Sequence, residues 1–269
     1  MRSSCSLRIT ALLLAAASAH AHANSNPAGI DWQPIAPATG SAFSIARTET
    51  TVGQFRRYAE ATGLVTRAER DGGGQVYEAG WTRKAGWTWR TPFGNDRPAA
   101  EAEPAVHLSF DEAQDFCRWA GGRLPTDAEW VSAAYTEQRA APPAGFERGR
   151  VYPFPSGAAP AGAQCLADCG AQAAARAVRH GARLWRGDGH APAGSTPAGV
   201  NGLHEMGGNV WEWVDHPPGG GRPAGAAERR TRGGSWWYGA GQMRADHLQG
   251  KPGNTTVVYI GFRCVRAAG

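Results

Sequence analysis

Regular periods are scarce in this chain while glycine and tryptophan are abundant, and that pairing constrains the fold more than any single motif. The 269 residues include 37 Gly and 11 Trp. Ordered glycine costs chain entropy and is kept where the backbone must turn sharply. Each tryptophan brings a large apolar surface that must be buried. Such a chain folds as loops stiffened by aromatic packing, not as a helical bundle or a long-stranded barrel.

The first residues read as an address. Arg2 and Arg8 precede an apolar run from Ile9 to Ala19, and small residues follow at Ala19, Ala21 and Ala23. A charged region, a short apolar core and an A-x-A pattern make a secretory signal peptide. The run is well short of the ~20 residues needed to span a bilayer. Residues 1–23 are therefore expected to be cut near Ala21 or Ala23, sending the protein to the periplasm or outside the cell. Cys5 precedes the apolar run and is no lipid anchor. Residues 24–41, rich in Pro, Ala, Gly and Ser, lead into a single domain over 42–269. That length suits one large irregular domain. No other stretch can cross a membrane. The formal charge of +5 is spread along the chain, which argues against nucleic acid as a partner.

After cleavage four cysteines remain: Cys117, Cys165, Cys169 and Cys264. An even number in an exported chain points to disulfides, with three possible pairings. The C-x-x-x-C spacing at 165–169 is a poor zinc signature, because no second close pair follows it.

Local signals place a few elements. Phe43–Ile45 reads as a strand. In TVGQFRRYAEATG, Val52, Phe55 and Ala59 share one helical face and Gly63 fits a C-cap. Residues 66–104 carry Trp81, Trp87 and Trp89 without a clean period and read as an ordered loop. SFDEAQDFCRWAGG begins with a capping box, Ser109 and Glu112. Its apolar face, Ala113, Phe116, Cys117 and Ala120, turns Cys117 toward the core. PTDAEWVSAAY repeats the device with Thr126 and Glu129, and points Trp130, Ala133 and Ala134 inward. Residues 138–163 read as a surface insertion and 217–230 as an exposed loop, and 171–198 is similarly low in apolar period. VVYIGFRCVR near the C-terminus reads as a strand alternating in and out. Scans for H-E-x-x-H, G-x-S-x-G and Walker loops are empty.

RLPTDAEW, GGNVWEWVDH, RGGSW and GFRC occur in an order that resembles the formylglycine-generating (sulfatase-modifying factor) family. The resemblance runs from about Ile45 to Arg266 and includes pyoverdine-maturation and nitrite-reductase-associated homologues. It implies an α+β, C-type-lectin-like fold with little regular secondary structure, a small twisted antiparallel sheet and a few short helices. It also implies the pairings Cys117–Cys264 and Cys165–Cys169. A structural calcium site is implied at Glu205, Gly208, Val210 and Glu212. Calcium takes oxygen ligands from carboxylates and carbonyls, although Glu205 stands where the family has Asp or Asn. Without calcium, Glu212 is expected to pair with an arginine such as Arg232. A second family calcium site uses an Asn where this chain has Gln164.

The family's oxidase holds monovalent copper between two thiolates shortly after R-G-G-S. Soft thiolates select that ion. Here the matching positions are Tyr238 and Met243, a phenol and a neutral thioether, so the standard copper site is not expected. The same cleft would be bordered by Ser235, Trp237, Arg244 and His247, with Trp211 and Trp213 read as core. Aromatics with a few polar tips suit a peptide, a protein segment or a peptide-derived small molecule. The resulting expectation is an exported oxidoreductase-type maturation factor, monomeric and without a membrane span. The alternatives are a non-catalytic accessory module that binds a peptide or partner and a true sulfatase-directed oxidase.

Overall fold

The computed structural model describes residues 26–94, 96–167, 169, 182, 184–216 and 228–268. The signal-peptide stretch lies outside these residues, as do most of 171–183 and 217–227.

Four α-helices stand among the described residues: α1 (Val52–Thr62), α2 (Arg67–Arg70), α3 (Phe110–Trp119) and α4 (Asp127–Tyr135). Each begins with a capping box, formed in turn by Thr51 with Gln54, Thr66 with Glu69, Ser109 with Glu112 and Thr126 with Glu129. The cap hydroxyl accepts from the third backbone N–H and the acceptor side chain reaches back to the cap's own N–H, so two orphan donors are satisfied at once. Gly63 closes α1 in the left-handed conformation, φ 67°.

Nine strands are named along the described chain. β1 (Trp32–Ile35), β2 (Phe43–Ala46) and β9 (Val265–Ala267) form an antiparallel sheet in the order β1-β2-β9. β3 (Gln75–Tyr77) and β4 (Trp81–Arg83) make a hairpin. β5 (Trp211–Val214), β6 (Glu228–Arg232), β7 (Gln249–Pro252) and β8 (Ile260–Gly261) form a four-stranded sheet in the order β7-β6-β5-β8. This larger sheet is mixed, since β5 and β8 run parallel.

Several expectations are amended. The leading segment 24–41 contributes β1, and it buries Ala28, Ile30 and Ile35, because its few apolar residues complete the first sheet. The stretch 66–104 carries α2 and the β3–β4 hairpin. Thr66-x-x-Glu69 was a readable helix start there. The expected exposed loop 217–230 ends in β6. Residues 257–265 do not alternate. They are buried throughout, because they run through the centre of the molecule with packed neighbours on both sides.

The principal core gathers Phe55, Tyr58, Trp89, Phe116 and Phe262. The Phe55 and Phe116 rings stack at 5.8 Å, and Phe262 meets Phe116 edge-on at 5.4 Å. Cys117 is bonded to Cys264, tying α3 to the chain just before β9. The bridge closes a separation of 147 residues, a loop whose closure stabilises by about 5 kcal/mol in the chain-entropy model.

Candidate functional site

The site grows from one turn. Gly208 has φ +81° and Asn209 φ +52°. A Cβ on Gly208 would lie 2.5 Å from the Gln164 carbonyl oxygen, so only glycine fits this approach. Gly208 N–H donates to the Gly233 carbonyl at 2.8 Å, and Asn209 N–H donates to that of Gln164 at 2.7 Å. Asn209 Nδ2 donates to Glu49 Oε2 at 2.6 Å, and Val210 N–H donates to Glu49 Oε1 at 3.1 Å. Trp236 N–H donates to the Asn209 carbonyl at 2.9 Å. The glycine turn therefore fastens three distant segments: the Glu49 stretch, the Gln164 stretch and the R-G-G-S-W stretch.

Below this turn lies a charge cluster. Glu212 is buried and takes a two-point contact from Arg263, Nε to Oε2 at 2.8 Å and Nη2 to Oε1 at 2.7 Å. Trp130 Nε1 adds a third donor at 2.7 Å. The partner of Glu212 is thus Arg263 rather than Arg232, even though Arg232 is its cross-strand neighbour in register. Arg232 turns instead to Asp127, at 2.7 and 2.8 Å, and to the carbonyls of Ala245 and His247. The hydrogen bond from Arg232 holds the Asp127 carboxyl below the usual range.

Glu205 accepts from Gly194 N–H, Thr196 N–H and the Thr196 hydroxyl at 2.8–2.9 Å. The two side chains expected to hold calcium are therefore engaged by protein donors, and Arg263 supplies the positive charge at Glu212. Among the described residues, no three His, Cys, Asp or Glu side chains are grouped so as to hold a metal ion. Glu49 is the third buried carboxyl beside this cluster. Burial, then repulsion from Glu205 and Glu212, pushes its carboxyl well above the ordinary value.

An aromatic cluster gathers around Tyr238. Tyr238 is half-buried, with its ring 5.9 Å from Trp211 and 5.8 Å from Tyr259. Trp237 stacks on Tyr259 at 5.7 Å. The Arg186 guanidinium lies 5.4 Å from both Trp237 and Tyr238 and 5.5 Å from Trp185, the geometry of cation–π contact. Trp185 is 61% exposed and meets Trp237 edge-on. His247 lies over Trp211 at 5.7 Å, and burial pushes its imidazole pKa down, which favours the neutral, proton-accepting form. Burial also pushes the Tyr259 phenol up, so it stays protonated.

Of the cleft residues read from sequence, Tyr238 and His247 reach this cluster. Ser235 and Trp237 are nearly fully buried, with Trp237 packed in it. Arg244 is exposed and faces Asp246 at 3.5 Å. Met243 is fully buried in a separate cluster with Cys165 and Cys169. Tyr238 packs against the principal core instead. The two positions that would hold the family's copper thus lie in different packing environments, and their donors do not fit that ion. Trp211 and Trp213 are core residues, although Trp211 also meets the Tyr238 and His247 rings. Trp185 and Arg186 were not legible as site residues, because nothing in their neighbouring sequence is periodic.

The profile of the family described as "Sulfatase-modifying factor enzyme 1-like domain" matches residues 12–268. The chain is 38% identical over 111 residues to the formylglycine-generating enzyme of Streptomyces coelicolor, covering 34% of this chain and 35% of that enzyme. It is 33% identical over 150 residues to the hercynine oxygenase of Mycolicibacterium thermoresistibile, covering 49% of this chain and 33% of that protein. The chain thus spans well under half the length of these curated relatives. Among solved structures, CarF superposes with TM-score 0.59 at 18% identity, covering 90% of this chain and 100% of CarF. PvdO from Pseudomonas aeruginosa gives 0.52 at 18% identity, covering 89% of this chain and 92% of PvdO. Those two likenesses concern the fold, which is that of the formylglycine-generating and C-type-lectin-like proteins. With a match over nearly its whole length, joined to the glycine turn and the R-G-G-S-W strand end, this chain belongs to the sulfatase-modifying factor enzyme 1-like domain family and has oxygenase-type relatives.

Proposed function

We propose that this protein is an exported, oxidoreductase-type maturation factor acting on a peptide, a protein or a peptide-derived metabolite at the Tyr238 cluster. The observation that carries the reading is the partly exposed aromatic cluster around Tyr238. A half-buried phenol packs on Trp211 and Tyr259, and the Arg186 guanidinium lies 5.4–5.5 Å from three rings, among them the 61% exposed Trp185. Accessible aromatic faces beside a cation suit an aromatic or peptide ligand. Arg186 offers charge to a carboxylate on that ligand, and His247, kept neutral by burial, can accept a proton. The N-terminal address and the paired cysteines fit an oxidising compartment. Oxidase chemistry through a copper held by Tyr238 and Met243 is not part of the reading.

The decisive experiment measures oxygen uptake by the purified full chain with peptides containing cysteine, tyrosine or histidine, with product masses read alongside. Gain of an oxygen or loss of two hydrogens by the peptide, abolished in Tyr238→Phe, is the expected outcome. A second reading is supported by Trp185, whose 61% exposure beside Arg186 suits holding a partner without chemistry. Peptide binding detected by tryptophan fluorescence, with neither oxygen uptake nor a mass change, would establish that accessory role and overturn the first.

A further inference from the structure

In a separate buried cluster, three sulfur atoms converge. Cys165 and Cys169 are bonded to each other, and Cys169 Sγ lies 3.8 Å from Met243 Sδ. Among the described residues, Ala163 and Ala240 share their apolar cluster and Phe154 packs against it. The scaffold fixes this cluster from several sides. Gln164 is pinned to the glycine turn through Asn209 N–H, and Leu166 N–H donates to the Tyr238 carbonyl at 3.0 Å. Tyr135 donates its hydroxyl to the Met243 carbonyl at 2.7 Å. Met243 Cε packs so close to Gly207 that a Cβ there would lie 2.6 Å away. The thioether is therefore held in place by groups that do not depend on the state of the cysteine pair.

The two disulfides are placed differently. Cys117 and Cys264 are both fully buried and close 147 residues. Cys165 and Cys169 close only 4, and Cys165 is 9% exposed. A small dithiol reaches the second pair first, and a short loop gains least from closure. Opening it takes two electrons and two protons from the dithiol, which becomes a disulfide. Two thiols are left beside the thioether.

We propose that the reduced form of this cluster binds one monovalent copper ion through the Cys165 and Cys169 thiolates and the Met243 thioether. Binding displaces the two thiol protons. Two thiolates and a thioether are the soft donors that select Cu(I). Zinc wants four nitrogen, sulfur or oxygen donors, and among the described residues no His, Asp or Glu joins the two cysteines to make a metal-binding group. The site shares Met243 with the 238/243 pair but takes its anionic donors from Cys165 and Cys169, and it is independent of the oxidoreductase reading. Forming the disulfide closes it, so copper is held only in the reduced state.

The test uses the full chain, treated with limited dithiothreitol until two thiols per chain titrate beyond that of Cys5, then desalted without oxygen. It competes with bicinchoninate for Cu(I). One equivalent withdrawn from the chelator by the reduced chain, and none by the oxidised chain, is expected. A sulfur-only shell by X-ray absorption and at least a tenfold weaker Met243→Leu variant are expected too. Met243→Leu preserves apolar volume, and near-UV circular dichroism checks its fold. The proposal is overturned if the dithiol form leaves all copper with the chelator. It is equally overturned if Met243→Leu binds as tightly as the parent, or if the absorption shell contains nitrogen or oxygen.

Discussion

Replacing Arg263 by Met tests whether this arginine, rather than a bound cation, neutralises the buried carboxylates. Arg263 is fully buried and donates to both oxygens of Glu212 and to the carbonyls of Ala46, Arg47 and His204. Methionine fills much of the space and leaves Glu212 without a counter-charge, beside Glu49 and Glu205. Breaking a buried pair from one side costs about 3–5 kcal/mol, which for a chain of this size lowers the melting temperature by roughly 6–20 °C. Glu212→Gln removes the charge from the other side. The double variant is expected to cost about 1–3 kcal/mol less than the two single losses together, because the partners act on one another. Urea unfolding followed by tryptophan fluorescence gives all three values. A loss below about 1 kcal/mol in Arg263→Met, strict additivity in the double variant, or recovery of Arg263→Met on adding calcium would each refute the reasoning.

The calcium expectation has its own readout: with Glu205 and Glu212 engaged by protein donors, chelation of calcium is expected to leave the melting temperature of the parent protein unchanged, and a fall of several degrees would show that a cation shares the cluster. Glu49 sets a pH dependence. Its folded pKa lies above the unfolded value, so its stabilising share is complete below the ordinary carboxylate range and is lost as pH rises above about 4.5 toward the folded value. Glu49→Gln is therefore expected to gain in stability relative to the parent as pH rises from acid to neutral, as read from urea midpoints across pH. Replacing Cys117 and Cys264 together by Ala is expected to cost up to about 5 kcal/mol, measured by the same unfolding curve.

Helix starts were legible because capping is a matter of residues three apart: Ser109 with Glu112 and Thr126 with Glu129 could be read directly, and Thr51 with Gln54 and Thr66 with Glu69 carried the same signal. The inward face of α3 placed Cys117 in the core by periodicity alone, whereas its pairing with Cys264 came from the family resemblance, since the residues themselves left three pairings open. The long-range choices were not legible. Glu212 had two arginines available, and its partner depended on Asp127 and two carbonyls holding Arg232 elsewhere.

Sequence by itself determined the family, the phenol and thioether at positions 238 and 243, and the local elements whose signals lie within one or two turns. Tertiary structure alone decided that Tyr238 joins an aromatic cluster with Trp185 and Arg186, while Met243 turns to the Cys165–Cys169 pair in a different cluster. The physical reason is reach. Capping and periodicity act between neighbours along the chain. The burial of a tryptophan or the counter-charge of a glutamate is settled by whichever distant segment the glycine turn at Gly208 brings against it.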